Sequence, residues 1–149
     1  MEEPQSSQEL EFADVELFGV KVRIVVTIGR DRDLYVDIFP KNQDACKIRL
    51  VSNRMWFGLE AGRFLGVDLE ELEQDGHDSR FVIAAGLVRS IIEYGLEETA
   101  LVTDKGAIES KCVIPVWDAP ITFSRTKRVL RATRRKATRQ EYTYAPYGK

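Results

Sequence analysis

Seven bases fall between Lys127 and Arg139, namely Lys127, Arg128, Arg131, Arg134, Arg135, Lys136 and Arg139, and no acid interrupts them. A guanidinium group presents a planar fork of donors that matches phosphate oxygens, so this cluster suits a polyanion. If the segment is helical, Arg128, Arg131, Arg135 and Arg139 lie along one stripe at spacings of 3, 4 and 4. Contacts of this kind release roughly five condensed counterions from duplex DNA, giving a log–log salt slope of about −4 to −5. The next stretch carries Tyr142, Tyr144 and Tyr147, rings able to stack on exposed bases or to pack on a partner protein. The expected contact residues are therefore the seven bases with Tyr142 and Tyr144. The expected partner is nucleic acid, RNA or DNA, or an acidic protein surface.

Other chemistries find weaker support. Asp68, Glu70, Glu71, Glu73, Asp75 and Asp78 surround the lone His77, but the ordered alternation and terminal glutamate of a calcium loop are missing. One histidine cannot build a histidine-rich zinc site, and Cys46 and Cys112 lie far from it in sequence. There is no Gly-x-Ser-x-Gly elbow and no Walker-type glycine loop. Cys46 is expected to point into the core, where a thiol is inert. The chain reads as non-catalytic, with no metal and no cofactor.

Charge is distributed unevenly. The 149 residues carry a formal net charge of −2, yet residues 121–149 hold +8 and the other 120 residues hold −10. From Met1 to Phe18 there are six acids and no base. With 44% apolar and 31% charged residues, the chain is not expected to be wholly disordered, collagen-like or a disulfide framework. No apolar run approaches the roughly 18 residues of a membrane span, the acidic start is unlike a leader, and no membrane partner is expected. Two well-separated cysteines suggest a reducing, cytoplasmic setting.

The elements that position these groups follow from hydrophobic period. Alternation places Ala13, Val15 and Leu17 on one strand face, then Val20 to Ile28, Leu34 to Ile38, and Cys46, Ile48 and Leu50. One register pairs Leu17 with Val20 and Ile28 with Leu34. Extended through a turn at Pro40–Asp44, it pairs Val36 with Ile48, Asp37 with Lys47 and Tyr35 with Arg49. The outer face then mixes Lys21, Arg23, Thr27, Tyr35, Lys47 and Arg49 with Asp14, Glu16 and Asp37, an ordinary solvated surface of cross-strand pairs. Ser52-Asn53 offers an N-cap for a helix from about Arg54 to Leu65, weakened by Gly58 and Gly62. A short helical turn at Leu69–Leu72 and a loop over Gln74–Asp78 follow. A second helix starts at Asp78 or Ser79, with Phe81, Ala84, Ala85, Val88, Ile91 and Ile92 at helical spacing and Gly95 at its end. A hairpin joins 100–103 to 107–116, and Trp56 and Trp117 are assigned to the core.

These elements predict an α+β fold: a four-stranded antiparallel meander packed by one or two helices, a small C-terminal hairpin and a basic C-terminal extension. Residues 1–9 read as a flexible acidic lead, 10–120 as a single domain and 121–149 as a basic tail. The function expected is a non-catalytic nucleic-acid-associated subunit whose basic arm contacts phosphates. The alternative is a structural or adaptor subunit of a larger assembly, viral or multi-subunit, whose charged termini dock on neighbouring proteins or on further copies of itself.

Overall fold

Side chains that alternate between apolar and polar specify extended backbone, and this chain follows that rule further than expected. The computed structural model describes residues 7–53, 56–70 and 79–148. Six strands, β1 (Ser7–Leu17), β2 (Val20–Gly29), β3 (Leu34–Pro40), β4 (Ile48–Ser52), β5 (Phe57–Ala61) and β6 (Leu65–Asp68), form one antiparallel meander in sequence order. The first hairpin holds Leu17 opposite Val20, Glu16 opposite Lys21 and Asp14 opposite Arg23. The second holds Ile28 opposite Leu34 and Thr27 opposite Tyr35. Both registers are as predicted.

The third hairpin differs. Ile38 rather than Val36 faces Ile48, so Arg49 stands opposite Asp37 and Val51 opposite Tyr35. A shift of two residues keeps every side chain on its own face, which is why the alternation alone does not reveal it. The longer connection accounts for it: the Asn42 side chain accepts the Asp44 N–H at 2.9 Å and the Asn42 carbonyl accepts the Ala45 N–H at 3.2 Å. This side-chain turn takes up the extra residues. Asp37 is consequently buried under a two-pronged Arg49 contact at 2.7 and 3.0 Å, and Arg49 in turn covers the Tyr35 ring at 4.8 Å.

Of the helix expected over 54–65, Arg54 and Met55 lie outside the described residues, and the part from Phe57 onward is instead the β5–β6 hairpin. Leu59 and Ala61, then Leu65 and Val67, are buried at every second position, a period of two that the density of apolar residues conceals. Asn53 does not cap a helix. Its side chain accepts the Trp56 N–H at 2.7 Å and its own N–H donates to the Trp56 carbonyl at 2.9 Å, closing a turn between strands. The two glycines serve that hairpin: the Trp56 ring lies where a Cβ on Gly58 would stand, and Gly62 turns the chain at φ +62°. Glu71, Leu72, Glu73, Asp75, His77 and Asp78 fall outside the described residues.

The second helix is present as α1 (Ser79–Tyr94), closed by Gly95 at φ +82°. Ala84, Leu87, Val88, Ile91 and Ile92 form its buried stripe, whereas Phe81 and Ala85 are exposed. After it come β7 (Leu96–Thr103) and β8 (Gly106–Ile114), the expected hairpin. Regular structure continues past Pro120. β9 (Ile121–Thr126) pairs with β8, a short helix α2 (Arg131–Arg135) follows, and β10 (Thr138–Tyr144) pairs with β7, giving a second antiparallel sheet in the order β10-β7-β8-β9.

The fold is therefore mostly β, with sheets of six and four strands, and not α+β built on a four-stranded meander with a basic extension. In the extension the density of charge conceals an alternation: Ile121 and Phe123, and Gln140, Tyr142 and Tyr144, each keep one face of a strand. The acidic lead expected over 1–9 overlaps β1, which begins at Ser7. One core unites the sheets and α1, from Val22, Ile38, Ile48 and Leu59 to Ile91, Leu96, Cys112, Ile114 and Tyr147. Trp56 is half-buried, but Trp117 is 84% exposed and stands outside that core.

Candidate anion-binding interface

Between β9 and β10 the chain crosses from one edge of the four-stranded sheet to the other, and the basic cluster occupies this strap. The Lys127 N–H extends the β8–β9 ladder by donating to the Ile108 carbonyl at 2.8 Å, and Thr138 opens the pairing of β10 opposite Val102. Both ends are thus fixed by strands. Only five residues of the strap are helical. No side chain caps α2, no acid stands in its first turn, and Arg131 and Arg135 repel each other at i,i+4. The long arginine stripe does not form: Arg131 and Arg135 share a helix face, Arg128 precedes the helix and Arg139 lies in β10.

All seven bases are exposed. Arg134 pairs with Glu109 at 3.5 Å and Arg139 with Glu141 at 3.1 Å. Among the described residues, no carboxylate lies within ion-pair distance of Lys127, Arg128, Arg131, Arg135 or Lys136. The strap therefore displays a mostly unneutralised cationic surface on a backbone tied down at both ends. Leu130, 78% exposed, sits among them.

The tyrosines are placed elsewhere. Tyr142 faces the six-stranded sheet, tilted against Phe64 at 6.0 Å between ring centres, covered by the Arg63 guanidinium at 4.5 Å and donating to Gln140 at 2.9 Å. Tyr144 packs against the core beside Glu98. Burial first, then the Glu98 charge, raises the Tyr144 pKa. Neither ring is brought together with the basic strap as a stacking platform.

No family model, no curated protein and no solved structure matches the chain. Its chemistry is read from its own geometry.

One group carries more structure than the sequence announced. Glu98, 2% exposed, accepts backbone N–H bonds from Arg63 at 2.9 Å, Phe64 at 2.8 Å and Leu65 at 3.0 Å. Successive N–H groups of a turn form a concavity that suits an anion, here occupied by the protein's own carboxylate. The Cys112 thiol also donates to it at 3.4 Å. The signal that could have found Glu98 is parity, since it shares a face of β7 with buried Leu96 and Ala100. Burial pushes both thiols up to about 12, helped at Cys112 by the Glu98 charge, so neither is a ready nucleophile. Among the described residues, no group of three or more His, Cys, Asp or Glu side chains could hold a metal ion.

Proposed function

We propose that this protein is a non-catalytic nucleic-acid-associated binding subunit that contacts phosphates through the strap between β9 and β10. The observation that carries this reading is the set of five exposed bases, Lys127, Arg128, Arg131, Arg135 and Lys136, without a carboxylate partner among the described residues and on a segment tied down at both ends. Anchored cations lose less freedom on binding than those of a free tail, which favours association. With Tyr142 and Tyr144 turned into the packing, the contacts fall on phosphate and carry little base selectivity. Two free, buried thiols agree with a reducing, cytoplasmic setting.

Fluorescence anisotropy with a labelled duplex and a labelled single strand, at several salt concentrations, tests this. The full chain is expected to bind both, with a slope of about −4 to −5 on the duplex. Replacing Arg128, Arg131, Arg135 and Lys136 by glutamine should flatten that slope by roughly one for each base removed. Salt-independent binding, or the same slope in the glutamine variant, would refute the reading.

The adaptor reading has its own observation. β1 is an edge of the six-stranded sheet, its Glu11, Asp14 and Glu16 are exposed, and beside them Phe12 and Val15 remain 56% and 38% exposed. Such an edge accepts a strand from a neighbouring subunit. Light scattering during gel filtration separates the two: a salt-sensitive oligomer that binds no nucleic acid favours the adaptor.

A further inference from the structure

A cavity of about 620 Å³ opens where the four-stranded sheet extends past the β5–β6 turn. Three cationic side chains from separate places in the chain line it: Arg63 from the turn, Arg125 from β9, and Lys127 from the start of the strap. Phe64 and buried Ile108 supply an apolar wall, and Ser110 on β8 a hydroxyl. One acid, Glu109, also borders the space, but it is paired with Arg134. Arg125 is oriented by donating to the Gly66 carbonyl at 2.8 Å, and Arg63 is steadied over the Tyr142 ring. No carboxylate among the described residues neutralises Arg63, Arg125 or Lys127.

We propose that this cavity is a binding site for a nucleoside monophosphate, its phosphate held by Arg63, Arg125 and Lys127 and its base laid against Phe64 and Ile108. The volume falls within the range of about 300–1,000 Å³ typical of small-molecule sites. A phosphomonoester carries about −1.5 to −2 charges at neutral pH, which three cations offset without a metal ion. Arginine forks suit its oxygens, and a planar base gains from an aromatic neighbour. An inorganic anion would leave the apolar wall unused. The nucleotide could be free, or the 5′-phosphorylated end of a strand lying on the strap. The site shares Lys127 with the strap, but Arg63, Phe64 and Arg125 lie outside it, so the two readings separate at Arg63.

The experiment titrates the full chain with adenosine 5′-monophosphate, adenosine and inorganic phosphate by calorimetry, with amide chemical shifts followed in parallel. Saturable binding of the monophosphate is expected, at least tenfold tighter than either adenosine or phosphate. Arg63→Gln and Lys127→Gln should each weaken it at least fivefold with unchanged thermal melting, whereas Arg30→Gln, remote in the β2–β3 turn, should not. Competition by a 5′-phosphorylated oligonucleotide, but not by its 5′-hydroxyl form, assigns the site to strand ends; no competition assigns it to the free nucleotide. Absence of saturation, equal binding of phosphate alone, or full affinity in Arg63→Gln would overturn the proposal. Duplex binding measured on Arg63→Gln reports separately on the strap.

Discussion

A carboxylate cannot be removed from water unless donors replace its hydration, and at Glu98 the replacement is three consecutive N–H groups of the β5–β6 turn. Glu98→Gln keeps the shape but loses the charge and offers the turn one poorer acceptor oxygen; it should lower stability by about 1.5–3 kcal/mol in urea unfolding. Gly62→Ala should act through the same contact, since its Cβ would stand 2.5 Å from the Glu98 Oε1 at a φ of +62°. The thiols make a pH-dependent counterpart. Cys46 and Cys112 are pushed from 9.0 up to about 12 in the folded chain, so they bind protons there that the unfolded chain gives up first. Their contribution is complete below pH 9 and is lost as pH rises towards about 12. The urea midpoint should therefore fall between about pH 8 and pH 10.5, and an unchanged midpoint would contradict the protonated, buried thiols. Of these groups only the burial of Cys46 was legible in the sequence, from a parity shared with Ile48, although Cys46 lies just before β4 rather than within it; Glu98 is chemically identical to Glu97 beside it, and only its parity with Leu96 and Ala100 distinguishes them.

Elements were legible where two signals agreed. β1 and β2 combine alternation with complementary charges across the pair, and α1 combines a helical stripe with a terminal glycine; the β1–β2 register and the span of α1 are as expected, although Phe81 and Ala85 of the expected stripe are exposed. Where signals conflicted, the stronger-looking one misled. Asn53 followed by dense apolar residues imitates a capped helix, yet only the alternation of Leu59, Ala61, Leu65 and Val67 reflects how the chain packs. At β10 the density of charge and tyrosine obscured a strand that the adjoining β7 already required as its partner. The element after β10 is held as firmly. Tyr147 is buried, and its hydroxyl donates to the Cys46 carbonyl at 2.5 Å and faces that of Ile38 at 3.3 Å. Tyr147→Phe should cost about 1–2 kcal/mol, read as a lower chemical-denaturation midpoint with an unchanged m-value.

At the scale of the whole molecule, the basic region is both a charged surface and part of the framework. Removal of residues 121–149 takes away β9, β10 and Tyr147, two of the four strands of one sheet together with a buried aromatic. A chain ending at Pro120 should lose its near-ultraviolet circular dichroism and its cooperative melt, and retention of both would show the second sheet to be dispensable. Charge substitutions on the strap, rather than truncation, are therefore the informative perturbation of binding. The asymmetry of charge was legible from composition, but its placement was not, because net charge informs about partners and not about fold. The Tyr147 clasp also bears on biosynthesis. It joins positions 101 and 109 apart in the chain, and polypeptides leave the ribosome from the N-terminus onward. The meander must wait, its β3–β4 end still unfastened, until the last tyrosine has been translated, and over that interval a chaperone or a neighbouring nascent chain has its best opportunity to engage it.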